Sequence, residues 1–565
     1  MHLRGGLSSI TLLLLAVSTL TIATDAQTDV DVCIIGAGPA GIGAALGLKK
    51  KGKTVRLIER YTIVGGQTSL SYTDPDSGRR LHMGAVVLTP PDYPHVMALA
   101  ATVGLGVQPY LDSRIGTYFL PNNGVLARQP PLALIPSHPA LNGTQLAAPA
   151  YLRYVAEDFP GFQAAMKQYA SLRRSLLPLL LAPGGLPAVY RSAPQLAMNM
   201  DAWLNSHHLA VLIPLCAQML IQTGYGHLYQ TSTASGLLYL SPFVLLSGIG
   251  SGGMDVSGLI TDDDTLGWPV TLYAFTDDVG FMELLRRLSL TLDSGTVVLS
   301  ANITSLVRPP PSGPGADDPV RITYVTPSQQ GSGTTVTCGA LLNTVAQTIP
   351  NLSFLGLDAT ETELFNHVFY ARYFTTALMV TPSLPRGVIA LPLPRDGGYF
   401  THPAGPAERA LDNALHRTVP GSGMTPPAVP WLSASVDPFP YTGQVCAAFP
   451  TNPGASNRPA GAAYADDPSL FVAYSYSDVP VNASAVAAEA AKTFTRRSMK
   501  AQVRAEFEHV YYPRVSQADA QGGWWQQFDS IQGRRKTYHT GGLTTFWDVE
   551  HSLRSGLDAA ARFDF

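Results

Sequence analysis

The chain has 565 residues, of which 46% are hydrophobic and only 14% are charged. That length predicts two packed domains, and the apolar content excludes global disorder because it suffices for a large core. The formal net charge of −3 argues against a nucleic-acid partner, which would require a basic face.

The N-terminus has the pattern of a secretory signal peptide. His2 and Arg4 precede an apolar run over residues 7–22, and small residues follow at Ala23 and Ala26. A signal peptide over 1–23, or alternatively over 1–26, predicts a secreted, extracellular protein. The alternative is a retained membrane anchor, since the run is near the lower length limit for a spanning helix. Without such an anchor, we expect no stable membrane span in the mature chain.

Four asparagines stand in triplets that accept N-linked glycans, and these are Asn142, Asn302, Asn351 and Asn482. Such triplets are typical of exposed loops in secreted eukaryotic proteins. They support the signal-peptide interpretation and predict a glycoprotein.

The four cysteines are too few for a disulfide scaffold. Cys33 lies inside an apolar, strand-like run and is predicted to be a buried thiol, which leaves at most one bridge among Cys216, Cys338 and Cys446. Their spacing suits no metal site. The adjacent histidines at 207 and 208 would point to different faces of an apolar helix. We therefore predict no metal site.

Residues 30–59 follow the order strand, glycine loop, helix, strand and acid. The spacing of Gly36, Gly38 and Gly41 permits a tight turn, close approach of the backbone to a pyrophosphate, and close packing of helix on strand. The helix N-terminus offers free amides to phosphates. Glu59, at the end of the second strand, is placed to accept hydrogen bonds from ribose hydroxyls. Together these features predict a dinucleotide site.

Two further glycine clusters bear on this site. Gly65 and Gly66 follow the acidic strand end and would let the backbone pass close to a bound cofactor. A second match to the glycine spacing, over residues 248–253, is followed by no amphipathic helix and no acidic strand end. We interpret it as a flexible loop, so the chain has one dinucleotide site and no second, nicotinamide-binding domain.

Hydrophobic periodicity divides the rest of the chain. Residues 28–90 contain the dinucleotide unit. Residues 91–280 are mainly helical and contain more helix than one crossover connection between two strands requires, which predicts an inserted substrate domain. Within residues 281–349 the period changes to two and predicts an antiparallel meander that returns to the dinucleotide sheet, with an exposed Pro/Gly loop over 309–319. The mixed residues 350–515 read as the second part of the substrate domain.

The C-terminal part, residues 516–565, carries the motif that identifies a family. Thr540-Gly541 ends a short strand, an aromatic loop contains Phe546 and Trp547, and a helix follows with the spacing Glu550-x-x-x-x-x-Gly-x-x-Ala-Ala. With the N-terminal glycine motif, this resembles the flavin-containing amine-oxidase superfamily. Within it the chain is most similar to the β-cyclopiazonate dehydrogenase and polyenoic fatty acid isomerase group, through residues 83–105, 342–378 and 532–542.

The resemblance implies an α/β fold: a Rossmann-like FAD-binding domain of the amine-oxidase type with a largely helical inserted substrate domain. FAD would be the cofactor, with its adenosine and pyrophosphate on the N-terminal glycines and Glu59. The resemblance adds Ile303 near the adenine, Gly541 in the C-terminal loop, and the backbone amides of Val549 and Glu550 near the flavin pyrimidine. Gln67 follows the glycine pair, so we expect no covalent flavin link.

Catalytic candidates are few, because flavin dehydrogenation mainly requires a C–H or N–H bond held against the flavin N5. Tyr373, Lys536 and His539 are the candidates, and Trp547 could wall the flavin ring. The apolar insert predicts a hydrophobic small-molecule substrate. We expect molecular oxygen or another acceptor to take up the electrons.

Four functions are open at this point. The leading one is a secreted FAD-dependent oxidoreductase that dehydrogenates a hydrophobic amine or secondary metabolite. The alternatives are a flavin-dependent isomerase that shifts double bonds in polyunsaturated fatty acids, a prenylcysteine-oxidase-like enzyme, and a flavoprotein that binds without catalysis.

Overall fold

The computed structural model describes residues 29–76, 78, 80–109, 118–119, 127–128, 159–226, 228–251, 258–276, 279–328, 333–381, 389–391, 446–450, 469–477, 482–495 and 500–563. Among these residues no helix is long and apolar enough to cross a membrane. The apolar run at 7–22 and the triplet at Asn142 lie outside the described residues.

The strands, in chain order, are β1 Val30–Ile35, β2 Val55–Ile58, β3 Ser71–Thr73, β4 Arg80–His82, β5 Val107–Pro109, β6 Tyr118–Phe119, β7 Ala127–Arg128, β8 Tyr273–Phe275, β9 Val297–Val298, β10 Asn302–Val307, β11 Val320–Val325, β12 Thr334–Asn343, β13 Phe369–Thr381, β14 Ile389–Leu391, β15 Cys446–Pro450, β16 Ser469–Ser477, β17 Lys500–Arg514 and β18 Thr537–His539.

The α-helices, in chain order, are α1 Pro39–Lys50, α2 Pro94–Thr102, α3 Phe159–Leu180, α4 Gly185–Ser192, α5 Met200–Ser206, α6 Ile213–Gln222, α7 Thr233–Tyr239, α8 Pro242–Ser251, α9 Asp262–Thr265, α10 Gly280–Leu290, α11 Ile349–Leu352, α12 Ala359–Asn366, α13 Ala483–Thr495, α14 Gln517–Gln521, α15 Trp524–Ser530 and α16 Val549–Arg562.

A first sheet of seven strands has the order β10-β11-β12-β1-β2-β9, and β18 also pairs with β12. The central strands are parallel, with Val32 opposite Ala340 and Val55. The Val/Ile-rich β1 is almost entirely buried, as expected of a parallel strand covered on both faces. The meander β10–β11–β12 is antiparallel, and its first turn, over 309–319, is mostly exposed. This arrangement confirms the predicted α/β fold and the return of the meander to the dinucleotide sheet.

The prediction that Cys33 is a buried thiol was wrong. Cys33 on β1 forms a disulfide with Cys338 on β12, and their Cα atoms are 5.7 Å apart. The parallel pairing of these strands brings together two residues separated by 305 positions. Cys216 is a buried free thiol.

The inserted segment from α3 to α9 is helical, as predicted. The interpretation of residues 248–253 as a loop was wrong in part, because Gly248 and Gly250 lie in α8. The preceding apolar residues Phe243 and Leu245 are fully buried as part of that same helix. A dinucleotide loop must follow a strand, so this segment still gives no second dinucleotide site. Gly252 and Gly253 lie outside the described residues.

His207, in the same insert, is a structural residue. Its ring packs 4.4 Å from the ring of Trp203, and its Nδ1 lies 2.9 Å from the Trp203 carbonyl oxygen. Among the described residues no cluster of His, Cys, Asp or Glu could hold a metal ion.

A second sheet of seven strands, β17-β13-β16-β15-β14-β6-β7, is built mainly from residues 350–515. Its centre is the long antiparallel pair β13 and β17, which runs from Phe369 opposite Arg514 to Thr381 opposite Lys500. The sequence interpretation of this region as mixed did not anticipate these strands. They carry Tyr373 and the tyrosines that surround it.

Candidate functional site

The N-terminal glycine loop closes tightly against β12. Gly36 has φ +99°, a conformation that favours glycine, and a Cβ added there would lie 2.9 Å from Thr344 Oγ1. Its amide donates to the carbonyl of Ile58 at 2.9 Å. A Cβ on Gly41 would overlap the carbonyl oxygen of Gly36, so α1 can begin this close to β1 only with glycine at that position.

The glycine pair approaches the same loop from the other side. Gly65 and Gly66 both have positive φ, and the Gly65 amide donates to the carbonyl of Ala37 at 2.7 Å. A Cβ on Gly66 would lie 3.2 Å from Gly38 Cα, and the Cβ of Gly38 would meet only Gly66 within 4 Å. The two glycine segments therefore form a cradle without side chains.

The first turn of α1 presents unused amides to this cradle. Within the described residues, the amides of Ala40 and Gly41 have no hydrogen-bond acceptor. A helix N-terminus with free N–H groups and the positive end of its dipole attracts phosphate. The geometry therefore fits the pyrophosphate of a dinucleotide.

Glu59 lies beside this cradle, at the end of β2, and its carboxylate is buried. Its Oε2 accepts from the Ala37 amide at 2.7 Å and its Oε1 from the Tyr61 amide at 2.9 Å. Each carboxylate oxygen has a second lone pair, so Glu59 can hold the loop and still accept from a ribose. The Ala301 amide donates to the Glu59 carbonyl at 2.8 Å, which brings Ile303 of β10 to the same edge.

The C-terminal loop meets the N-terminal loop through β12. Gly541 has φ +132°, and a Cβ added there would lie 3.6 Å from the carbonyl oxygen of Thr344. The hydroxyl of Thr344 donates to the carbonyl of Gly36 at 3.0 Å. Gln347 donates through Nε2 to the carbonyl of Thr540 at 2.8 Å. Among the described residues, the buried Oε1 of Gln347 has no hydrogen-bond partner, and a bound cofactor can satisfy a polar atom of this kind.

The start of α16 is the second helix end at this edge. Asp548 caps the helix by accepting from the His551 amide at 2.7 Å. In the described part of the chain, the amides of Val549 and Glu550 have no acceptor. They are therefore available for negative charge on a flavin pyrimidine.

The side chain of Glu550 has a role that sequence reasoning missed. Its buried carboxylate accepts from the amides of His95 at 3.1 Å and Val96 at 2.8 Å, and it contacts His95 Nδ1 at 2.6 Å. Glu550 thus satisfies free amides of the first turn of α2. The spacing of the motif in α16 gives no signal for this contact, because α2 lies more than 450 positions away.

The residues present fit FAD, with α1 and the glycine cradle at the pyrophosphate and α16 at the flavin. The two helices lie in direct contact, since a Cβ on Gly556 would overlap the carbonyl oxygen of Ala40 and a Cβ on Gly43 would overlap that of Leu553. Small residues at this crossing allow the two helix starts to share one edge of the sheet.

The three catalytic candidates do not meet in one place. Lys536 donates through Nζ to the carbonyl of Asp317 at 2.7 Å, in the exposed turn over 309–319. His539 is buried with its ring 5.2 Å from that of Phe365, and burial lowers its pKa to about 4. These contacts favour structural roles for Lys536 and His539.

Tyr373 lies in an aromatic cluster, which we define as Tyr225, Tyr239, Tyr373, Tyr511, Tyr512 and Phe546. The Tyr373 ring packs 4.4 Å from that of Tyr511, and the Phe546 ring packs 4.6 Å from that of Tyr225. Burial raises the pKa of Tyr373 well above its ordinary value, so its hydroxyl stays protonated. Sequence reasoning missed the other tyrosines because they come from distant segments.

Trp547, predicted to wall the flavin ring, links this cluster to the glycine pair. Its Nε1 donates to Gln67 Oε1 at 3.1 Å, and Gln67 Nε2 donates to the carbonyl of Val510 at 2.7 Å. The hydroxyl of Tyr225 donates to the Trp547 carbonyl at 3.3 Å. Gln67 and Trp547 therefore join the N-terminal loop, β17 and the C-terminal loop.

An inner pocket opens beside the C-terminal loop. The pocket is lined by both apolar and polar residues, which include Leu186, Tyr190, Ser232, Ser235, Tyr512, Arg514, Trp525, Gly542 and Thr545. The Tyr190 hydroxyl lies 2.6 Å from Ser232 Oγ, and its ring stacks 5.4 Å from that of Trp525. The pocket therefore places hydrogen-bonding groups beside apolar and aromatic faces.

Comparison with known proteins agrees with this geometry. Residues 31–88 match the family of FAD dependent oxidoreductases. A segment of 73 residues is 44% identical to part of the FAD-dependent oxidoreductase dpchF of Colletotrichum higginsianum. This segment makes up 13% of this chain and 15% of that protein. The chain therefore spans a small part of the curated relatives that it matches. The segment is an FAD-binding unit, and FAD is the cofactor.

Solved structures extend the likeness to the whole fold. The fatty acid isomerase from P. acnes superposes with a TM-score of 0.63 at 19% identity, over 95% of this chain and all of that one. Putrescine oxidase bound to putrescine superposes with a TM-score of 0.51 at 14% identity, over 94% of this chain and 98% of that one. The chain therefore has the fold of these two proteins over most of its length, which confirms the predicted fold class.

We predict that Gly556→Ala separates α1 from α16 and releases FAD. The added methyl group would overlap the Ala40 carbonyl oxygen, and overpacking of this kind typically costs about 1–3 kcal/mol. The FAD-to-protein ratio after gel filtration should fall, together with the melting temperature. Gly106→Ala is the matched control, because its Cβ would lie 3.5 Å from Thr276 in ordinary contact. Full FAD retention in Gly556→Ala would contradict the prediction.

The His95–Glu550 pair predicts a pH-dependent stability. The hydrogen bond that His95 Nδ1 donates to the Glu550 carboxylate raises the pKa of His95 above its ordinary value. Because the pKa of His95 is higher in the folded state, the pair contributes fully to the free energy of unfolding at pH values below the pKa of His95 in the unfolded chain. This contribution is lost as the pH rises through the pKa of His95 in the folded state. The difference in melting temperature between wild type and His95→Gln should therefore shrink from mildly acidic to alkaline pH. A difference that grows with pH would exclude this contribution.

Proposed function

We propose that this protein is a secreted FAD-dependent oxidoreductase that dehydrogenates a hydrophobic amine or secondary metabolite. The observation that carries the proposal is the inner pocket, whose lining includes Gly542 and Thr545, in the loop that directly follows Gly541 of the cofactor edge. Bound FAD supplies a hydride acceptor at N5. The residues of the chain would bind and orient the substrate, with Leu186 and Trp525 packing on its apolar part.

The polar groups of the pocket would fix the position of the substrate. Tyr190 and Ser232 form a hydrogen-bonded hydroxyl pair in its lining, and Ser232 also donates to Ser235 Oγ at 3.0 Å. Such hydroxyls can donate or accept, so they suit an amine, an alcohol or a carbonyl group. Holding the reacting bond in one orientation is the main protein contribution that flavin dehydrogenation needs.

A double-bond isomerase acting on polyunsaturated fatty acids is the second candidate. It is favoured by the similarity in fold, over 95% of this chain, to a structure described as a CLA-producing fatty acid isomerase. Such a reaction has no net redox change, so it needs no electron acceptor. A prenylcysteine-oxidase-like activity has no specific observation in its favour.

The test is anaerobic mixing of the FAD-loaded protein with amines, prenylated indoles and polyunsaturated fatty acids. For a dehydrogenase, one compound should bleach the flavin band near about 450 nm, and air should restore the band. An isomerase should convert a fatty acid without peroxide, and a flavoprotein without catalysis should do neither. Failure of every amine and metabolite to bleach the flavin would overturn the leading proposal.

Leu186→Trp should slow this bleaching by about tenfold or more, because the larger ring fills the inner pocket while leaving the FAD cradle intact. Leu181→Trp is the matched control, because Leu181 lies shortly before α4, the helix that contains Leu186, and is 47% exposed. Both variants should keep their FAD. Equal bleaching rates in the two variants would place the substrate elsewhere.

We infer secretion from three features together. The Cys33–Cys338 bridge would persist in an oxidising compartment, Asn302 and Asn482 are exposed in their glycosylation triplets, and residues 1–23 have a signal-peptide pattern. Expressed in a eukaryotic host, the chain should enter the medium, begin after residue 23 or 26, and yield a disulfide-linked peptide pair containing Cys33 and Cys338. Retention in the membrane with an intact N-terminus would favour the anchor instead.

A further inference from the structure

A histidine lies among the tyrosines of the second sheet. The pairing of β13 with β17 puts His509 directly opposite Tyr373, and the pairing of β13 with β16 puts Tyr474 opposite Thr375. Successive side chains of a strand point to opposite faces. Tyr373, Thr375, Tyr474, His509 and Tyr511 therefore share one face of the sheet, and we call these five residues the sheet face.

Ring contacts agree with this arrangement. The Tyr373 ring lies 5.9 Å from that of Tyr474 and 6.4 Å from that of His509, in addition to its contact with Tyr511. The other positions on the same face of these strands, in the register from Ala371 to Ala377, hold alanine, valine, phenylalanine and tyrosine. Among these described positions the face is aromatic and apolar and carries no carboxylate.

A direct hydrogen bond joins this part of β17 to the cofactor cradle. Val510, next to His509, accepts through its carbonyl from Gln67 Nε2 at 2.7 Å, and Gln67 directly follows the glycine pair. Tyr511 is followed by Tyr512, which lines the inner pocket. The sheet face therefore adjoins both the cradle and the inner pocket.

The described contacts of His509 are with uncharged groups. Its Nε2 lies 3.3 Å from the hydroxyl oxygen of Thr375. Burial lowers the pKa of His509 to about 4, so the imidazole is neutral at physiological pH and offers one N–H donor and one acceptor nitrogen. His509, Tyr373 and Tyr511 nevertheless keep part of their surface accessible. Groups that are desolvated and yet partly accessible border an enclosed space.

We propose that His509 is a specificity-determining residue, which forms a hydrogen bond with the substrate and selects an aromatic molecule whose polar group is uncharged. The inference rests on the proposed function, because the sheet face adjoins the inner pocket in which that proposal places the substrate. It narrows the proposed substrates to those that bind without a charge.

The selection follows from the cost of removing charge from water. An ion brought to the sheet face would lose its hydration and find no opposite charge among the described side chains there. A hydroxyl or N–H group would exchange a hydrogen bond with water for one with the neutral imidazole of His509. The tyrosine rings would add edge-to-face contacts with an aromatic body.

A cation bound by the tyrosine rings is the alternative. The faces of tyrosine rings attract an ammonium group, and amines are among the proposed substrates. The two possibilities predict different charge states for the molecule that binds most tightly. A histidine with only a structural role would not distinguish between ligands that share one ring and differ in their polar group.

The test is binding of matched naphthyl compounds to the FAD-loaded protein at about pH 7.5, where 2-naphthol is uncharged, 2-naphthylmethylamine is a cation and 2-naphthoate is an anion. Dissociation constants are measured by calorimetry and by difference spectra of the oxidised flavin. Wild type should bind 2-naphthol at least about tenfold more tightly than either ion, a difference of about 1.4 kcal/mol. His509→Phe should weaken 2-naphthol about tenfold and leave the affinity for naphthalene, which has no polar group, unchanged.

Two further variants keep the test decisive. Thr375→Val removes the hydroxyl that holds the imidazole, so it should bind 2-naphthol a few-fold more weakly, and it decides the question where His509→Phe fails to fold. His367→Phe replaces a surface histidine paired with Asp519 and should match wild type.

Tighter binding of either ion than of 2-naphthol by wild type would overturn the proposal. Equal 2-naphthol affinities of wild type and His509→Phe, or of wild type and Thr375→Val where the first variant does not fold, would do the same. The proposed function fails separately, when no compound bleaches the flavin although 2-naphthol binding still depends on His509.

Discussion

The contact between α1 and α16 is the constraint on which the site depends. These helices come from opposite ends of the chain, and they cross with backbone against backbone, because Gly43 and Gly556 present no side chain to the partner helix. Their N-termini consequently share one edge of the sheet, where each has amides that find no acceptor in the part of the chain that the structure describes. One helix end alone attracts an anion. Two helix ends held in a fixed relative position can bind the pyrophosphate and the flavin of one FAD molecule at the same time.

The C-terminal loop connects the cofactor edge to the inner pocket and the aromatic cluster. Gly541 completes the cofactor edge, Gly542 and Thr545 line the inner pocket, and Phe546 belongs to the aromatic cluster. A displacement of this one loop would move all three together. Its anchoring is correspondingly dense: Thr540 donates to the Ser555 carbonyl and Gln347 to that of Thr540. Rigid loops of this kind suit catalysis by orientation.

Local patterns carry the prediction of the cofactor half of the site. The glycine spacing, the strand–helix–strand order and the motif in α16 each lie within about thirty residues, so steric and capping requirements are visible in the sequence. The remaining features depend on contacts between distant segments. The Cys33–Cys338 bridge spans 305 positions, the β13–β17 pair joins strands more than a hundred residues apart, and the Glu550 contact with α2 depends on the helix crossing itself.

Nearness to a motif in sequence does not place the catalytic candidates together in the fold. The strand β18 directs His539 into the core, whereas Lys536 precedes the strand, has a positive φ of 52°, and reaches the exposed turn over 309–319. Burial lowers the pKa of His539 to about 4, which keeps its imidazole neutral at physiological pH and removes any charge it could lend to a reaction. The polar groups of the proposed substrate pocket come from the helical insert and the end of β17. On this proposal, substrate choice depends on how the insert packs against the C-terminal loop, and the glycine motif fixes only the cofactor.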